Sequence, residues 1–372
     1  VEDTLEALGL IAAWHRSKMP ARVIAITGST GKTTTKDMLG QIVRRVGRAV
    51  VAEGTHNNEI GVPLTLLRLS RADRFCVLEL AMRAPGEINY LAGITRPDVG
   101  IITNIGQSHV GRLGSREAIA QTKAELLEHL PREGVAVLNA DDFFFSVFCA
   151  MGDAPVVSFG IDAEADFRAV EIDDSDVASV GFRLVTPSGE AEVRMQVPGR
   201  HNVMNALAGA AAAGQVGATL HETVEALEQY SGSSMPMQRV RGLRGAVLLN
   251  DAYNASPDSV GAALSVLSAA AGRKIFVFGD MLEMGAEAES AHTSVGRAAA
   301  EAGVDWLVSV GALAELAADE ASRRGVRADR VEDAEQAAEL LRPELSGDDV
   351  VLVKASRGMA LERVVEALTD DN

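Results

Sequence analysis

At 372 residues the chain exceeds one ordinary hydrophobic core, so two domains of roughly 100–200 residues are expected. Its formal charge of −17 argues against a nucleic-acid-binding surface, and apolar runs such as Val99-Gly100-Ile101-Ile102 fall far short of the roughly 18–20 residues that cross a bilayer. No secretion signal opens the sequence, and Cys76 and Cys149, far apart and outside any CxxC spacing, read as buried thiols of a reducing cytosol.

Apolar residues make up 47% of the chain and aromatic residues only 4%, which suits an aliphatic interior of helices and parallel strands. Residues 1–18 read as an amphipathic helix, with Leu5, Leu8, Ile11 and Ala12 at helical spacing and Pro20 ending it. A short apolar strand follows at 23–26, then a helix over 32–46. Strand-like runs recur at 75–80, 99–103 and 135–138, separated by helical stretches such as 116–130, the alternation of a parallel sheet covered by helices. Between 156 and 197 the pattern changes: alternating segments at 167–172, 181–185 and 191–197 are joined by Asp-rich and Pro-Ser-Gly turns, so antiparallel strands are expected. The Ala-rich stretch 203–216 is helical. A second series then has strands at 246–250, 275–278, 306–310 and 350–353. The fold class is α/β. Residues 1–19 form a linker helix and 20–237 a central domain with a mainly parallel sheet and a small antiparallel region. Residues 238–372 form a Rossmann-like C-terminal domain, the boundary falling near Pro236 to Gln238.

The chemistry begins at Thr27-Gly28-Ser29-Thr30-Gly31-Lys32-Thr33-Thr34, where the first strand turns into a helix. Backbone N–H groups and the helix N-terminus can cradle an anion there, Lys32 can neutralise β- and γ-phosphate charge, and the Thr33 hydroxyl can ligate Mg²⁺. The spacing departs from G-x-x-x-x-G-K-[ST] by being two residues shorter. Six lysines stand among 35 basic residues, at 18, 32, 36, 123, 274 and 354, so where lysine is kept an ammonium or a modifiable amine is of interest. Glu79 ends an apolar strand on the phosphate-loop side of the expected sheet, where ligands gather; it suits Mg²⁺, and equally a helix cap or a salt bridge.

The shortened loop is similar to that of the Mur ligase family. Further segments in that family's order resemble the branch that adds D-alanyl-D-alanine to UDP-MurNAc-tripeptide. They are Asn57-Asn58-Glu59-Ile60-Gly61-Val62-Pro63, Pro85-Gly86-Glu87-Ile88, Thr103-Asn104-Ile105-Gly106, Gly199-Arg200-His201-Asn202, Asn250-Asp251-Ala252-Tyr253-Asn254 and Gly279-Asp280-Met281-Leu282-Glu283. The resemblance implies ATP as nucleotide, bound by Gly28 to Thr34, Asn202, Arg239 and Asp251. It implies two Mg²⁺ ions held by Thr33, Glu79 and His109, with Lys32, Lys123, His109 and Arg239 as catalytic residues. Lys123 matches a lysine that is commonly carbamylated in the family. Asn202 matches an adenine contact and is also a candidate N-cap. Arg239 matches an arginine that reaches the γ-phosphate on domain closure, with Arg241 a competing assignment. Asn57, Asn58, Glu59, Thr103, Asn104, Tyr253, Asn254, Lys354 and Arg357 are the implied substrate contacts. In Lys354-Ala355-Ser356-Arg357 an alanine stands where the family has glycine, and the Arg357 fork suits a carboxylate.

The implied reaction is amide formation in the cytoplasm by a monomer, for peptidoglycan precursor synthesis. ATP activates a carboxylate as an acyl phosphate, which an amine attacks to give a tetrahedral intermediate. Other Mur-superfamily ligases, a P-loop kinase or GTPase, and a silent nucleotide-binding module are the competing readings; no N-K-x-D segment supports a GTPase. Family members carry an N-terminal domain for the donor's uridine nucleotide. The sequence starts at what reads as the linker after it, so ATP binding with weak donor affinity is expected.

Overall fold

Residues of the strand Arg22–Thr27 (β1) are apolar on both faces, and that single property sets the layering. Ile24 and Ile26 face one way, toward the helices Lys32–Val46 (α2) and Arg200–Gln215. Val23 and Ala25 face the other way, into a second cluster containing Ala12, Val62, Leu91 and Leu126. Each of these side chains is fully buried or nearly so, and burying a Val, Leu or Ile contributes about 1.5–3 kcal/mol. The computed structural model describes residues 1–54, 56–106, 113–232, 237–282 and 284–370.

Within the described residues, one sheet has the order β2-β3-β1-β4-β5-β6-β7-β8-β9. Its strands are β1, Ala49–Val51 (β2), Phe75–Glu79 (β3), Val99–Ile102 (β4), Val135–Asn139 (β5), Val156–Gly160 (β6), Phe167–Asp173 (β7), Val180–Thr186 (β8) and Gly189–Met195 (β9). Pairing is parallel from β2 through to β7, and antiparallel between β7, β8 and β9. The change of direction therefore comes later than the change of sequence pattern at Val156, because β6 still extends the parallel series. The second sheet runs β10-β11-β15-β12-β13-β14, from Gln238–Arg241 (β10), Val247–Asp251 (β11), Arg273–Gly279 (β12), Trp306–Val310 (β13), Arg327–Val331 (β14) and Asp349–Lys354 (β15). All its pairs are parallel except β10 with β11. β2, β10 and β14 escape sequence reading for one reason: each is short and lies at a sheet edge, and β10 and β14 carry the charges that edges keep.

Two expectations are corrected. The helix Thr4–Arg16 (α1) forms, but its buried positions are Gly9 and Ala12, while Leu5, Leu10, Ile11 and Trp14 are exposed. Gly9 lies against the Tyr90 ring, where a Cβ would come within 2.0 Å of the hydroxyl oxygen, so the small residues form the contact face. Cys76 is buried, with its thiol pushed up to about 12 by desolvation, but Cys149 is exposed at the end of the short helix Phe145–Cys149.

Candidate active site

The phosphate loop is shaped by two glycines and braced from β4. Gly28 has φ 149° and Gly31 has φ 78°, the latter as N-cap of α2. A Cβ on Gly28 would meet the Thr103 hydroxyl oxygen at 1.8 Å, and one on Gly31 would meet Asn205 Oδ1 at 2.2 Å, so a side chain at either position would displace a residue that shapes the loop. The Thr103 hydroxyl donates to the Thr30 carbonyl at 2.6 Å. Asn104 accepts from the Thr30 N–H at 3.0 Å and donates to the Thr30 hydroxyl at 2.7 Å, so these two residues hold the loop itself, and Asn104 also lines the cleft.

At the end of β3 a carboxylate is gripped on both oxygens. The Thr33 hydroxyl donates to Glu79 Oε2 at 2.7 Å, and Asn57 Nδ2 donates to Glu79 Oε1 at 2.8 Å. Glu79 is 3% exposed, and among the described residues its two oxygens belong to a hydroxyl–carboxylate–amide chain rather than to a helix cap or a close ion pair. These oxygens fit a hard cation. Among the described residues no group of three or more His, Cys, Asp or Glu could hold a metal, so phosphate oxygens and water would have to complete the shell. His109 lies outside the described residues.

Lys32 and Lys123 meet at one carbonyl. Lys32 Nζ donates to the Gly28 and Ser29 carbonyls at 2.8 and 3.1 Å, and Lys123 Nζ, from the helix Arg116–Glu128, donates to the same Gly28 carbonyl at 2.8 Å. Lys123 is 2% exposed, and burial first, then the neighbouring Lys32 charge, holds its amine well below the usual lysine range. Lys32 is lowered too, by burial, with Glu79 opposing.

A cleft of about 650 Å³ opens over the loop, and both halves of the chain line it. From the first half come Ser29 to Thr34, Asn57, Glu79, Asn104, His201 and Asn202; from the second come Asp251, Tyr253, Asn254, Asp258 and Lys354. Asp251 and Lys354 are direct partners in the β11–β15 register, and Lys354 Nζ reaches Asp251 Oδ2 at 2.6 Å and the Asn254 carbonyl at 2.8 Å. Ser256 caps the helix Pro257–Ser268, with Pro257 in its first turn. Asn202 is not the N-cap of its helix. Gly199 is, and Asn202 Nδ2 turns back to the Pro198 carbonyl at 2.7 Å. The His201 imidazole, lowered to about 4 chiefly by burial, feels Asp251 and Lys354 from across the cleft.

Other expected residues stand apart. Asn58 Oδ1 accepts from the Ile60 and Gly61 N–H groups, and with Glu59 it lines a neighbouring hollow of about 400 Å³ that shares Asn57 and Ala81 with the cleft. Arg239 is exposed on β10 and outside the cleft lining, whereas Arg241 lies 3.9 Å from Asp370. Arg357, also outside the lining, sits over the Tyr253 ring at 5.3 Å. Asn205 and Asn139 were not anticipated. Asn205 abuts Gly31, and Asn139 Nδ2 donates to the Thr103 carbonyl at 2.9 Å. The i, i+3 spacing of Asn202 and Asn205 was the available signal.

Two family models match: the Mur ligase middle domain over residues 26–213, and the Mur ligase, glutamate ligase domain over residues 237–357. The chain belongs to the Mur ligase family. That makes it an ATP-dependent, ADP-forming ligase. The UDP-N-acetylmuramoyl-tripeptide–D-alanyl-D-alanine ligase of Escherichia coli is 39% identical over 381 residues, covering 100% of this chain and 82% of that protein. The Bacillus subtilis ligase of the same name is 34% identical over 375 residues, covering 100% and 80%. Among solved structures, a crystal structure of MurF from Acinetobacter baumannii matches with TM-score 0.91 at 34% identity, over 98% of this chain and 80% of that one. MurF from Thermotoga maritima in complex with ADP matches with TM-score 0.87 at 26% identity, over 99% and 84%. No helix among the described residues is long and apolar enough to cross a membrane.

Proposed function

We propose that this Mur ligase joins D-alanyl-D-alanine to UDP-MurNAc-tripeptide in the cytoplasm, acting as a monomer. The observation that carries the reading is the single cleft in which the phosphate loop and Glu79 face Asp251, Tyr253 and Lys354 of the other sheet, so that nucleotide and amine acceptor meet between two walls. The relatives' shared name supplies the substrates. The two family matches and the two separate sheets support a division into a linker helix at 1–19, an ATP-binding domain at 20–237 and a ligase domain at 238–372.

The donor carboxylate attacks the γ-phosphorus of ATP, and ADP leaves. The acceptor amine then adds to the acyl phosphate carbonyl, loses its proton, and phosphate departs from the tetrahedral intermediate. Such transfers need position and charge stabilisation more than covalent help. Lys32 exchanges its loop carbonyls for phosphate oxygens. Thr33 and Glu79, with His109, would hold Mg²⁺, which would offset charge on the phosphates and on the acyl oxygen. A neutral Lys123 amine can add CO₂ to give a carbamate and a proton, turning a buried cation site into an anion beside Glu79. Gly28 to Thr34, Asn202 and Asp251 bind the nucleotide. Arg239, exposed on the edge strand, approaches the γ-phosphate only if the halves close further. Asn57, Asn58 and Glu59 lie on the donor side; Tyr253, Asn254, Lys354 and Arg357 lie on the acceptor side, with Thr103 and Asn104 acting through the loop they brace.

The test is phosphate release from ATP with UDP-MurNAc-tripeptide and D-alanyl-D-alanine together, compared with either alone. Release that requires both is expected. ATP binding without any dipeptide-dependent release would sink the assignment.

A further inference from the structure

The chemistry above uses Lys32 of α2 and leaves Lys36, one turn further on, without a role. Lys36 is 1% exposed, yet its Nζ does not reach the cleft. It donates to the Gly54 carbonyl at 3.0 Å and lies 3.3 Å from Asp37 Oδ1. Burying an ammonium is costly, and an apolar side chain of similar length would fill the same space more cheaply. The contact it makes is therefore the thing to explain.

Gly54 belongs to the loop between β2 and the helix Gly61–Leu67. Further along that loop, the Asn57 carbonyl accepts from the Ala81 N–H at 2.9 Å, and the Asn57 side chain donates to Glu79 Oε1 at 2.8 Å. Glu79 Oε2 in turn accepts from Thr33, three residues before Lys36 and so on the same side of α2. Thr33, Lys36, Asp37 and Gly54 also line one hollow of about 280 Å³ beside the cleft. The contacts close a ring. It leaves α2 at Lys36, crosses to Gly54, passes to His56 across the turn closed by the His56 N–H on the Glu53 carbonyl at 3.1 Å, continues to Asn57, crosses to Glu79 and returns to α2 at Thr33.

We infer that Lys36 is a positioning residue for the cation site: by tying Gly54 to α2 it sets Asn57 against one Glu79 oxygen and leaves the other to a divalent cation beside Thr33. The inference rests on the cation site proposed above, and its test separates the two.

The readout is the ratio of ATP affinities with Mg²⁺ and with EDTA, measured by calorimetry on the whole chain. Lys36→Met lowers that ratio about tenfold, in the range seen when partners of metal ligands are removed, and leaves the EDTA affinity within about twofold. Asn57→Ala does the same, and Lys36→Met added to it has no further effect, because both act through one contact chain. Ile42→Ala, a core change on the same helix, lowers the melting temperature without moving the ratio. Glu79→Gln collapses the ratio. An unchanged ratio in Lys36→Met with a collapsed one in Glu79→Gln overturns the inference alone. An unchanged ratio in Glu79→Gln overturns the cation site beneath it. Additive losses in the double variant, or an equal loss in EDTA, reduce Lys36 to a structural residue.

Discussion

Lys123 and Lys32 both donate to the carbonyl oxygen of Gly28, each at 2.8 Å. Two ammonium groups on one buried carbonyl repel each other, which is why desolvation and Lys32 together press Lys123 toward its neutral amine. A neutral amine is the form that reacts with CO₂. Phosphate release in CO₂-depleted buffer is therefore expected to fall and to recover on adding bicarbonate, while Lys123→Ala shows no bicarbonate response. Equal rates in depleted and replenished buffer would count against the carbamate.

Gly31→Ala tests the loop geometry directly. Its left-handed backbone costs an L side chain about 1–2 kcal/mol, and the added methyl runs into Asn205 Oδ1. The expected outcome is a folded protein with little ATP affinity. Calorimetric titration checks it, and wild-type affinity would show that the loop tolerates a Cβ.

The pH response follows from two histidines. His292 Nε2 accepts from the Met281 N–H at 2.9 Å, and its Nδ1 faces the Ala288 carbonyl at 2.6 Å, so the ring is neutral with its proton on Nδ1. Burial lowers His292, and lowers His201 to about 4. Folded values below the unfolded one mean stability that is whole above about pH 6.5 and is lost as pH falls from there toward about 4. Water in the cleft screens His201, so its share is about 1–2 kcal/mol rather than the full shift. Denaturant midpoints between pH 7 and pH 4.5 should fall less steeply in His201→Gln. A parallel slope would rule His201 out as a source.

Lys354→Met is expected to destabilise by about 2–3 kcal/mol, because it leaves Asp251 charged and without its ammonium partner at a position with limited access to water. Asp251→Asn keeps a hydrogen-bond acceptor for Lys354 and should cost less. Chemical denaturation of both variants checks the order; a milder loss in Lys354→Met would show that Asp251 finds another partner.

Features legible in the sequence were those written in one stretch of chain. The phosphate loop needs only a strand, two glycines, a lysine and hydroxyls in succession, and the structure has them as read. Glu79 was legible because it ends an apolar strand. Asn205 was hidden in an alanine-rich helix whose composition announces core packing, and its contact with Gly31 arises only once that helix packs against α2. The pairing of Asp251 with Lys354 depends on β15 inserting between β11 and β12, which no local pattern encodes. The face of α1 was misread because small residues, not large ones, set its approach to Tyr90.

The cleft with walls from both sheets has a consequence for how the protein comes apart. Without ligand, two separate cores that touch, among the described residues, at points such as Asp258 beside Gly106 and Val266 beside Gly199 have little reason to melt together. A nucleotide touching both walls becomes a non-covalent staple. Its binding energy is added to whichever half would otherwise unfold first, so heating with ATP should merge two transitions into one and make the weaker half as durable as the stronger.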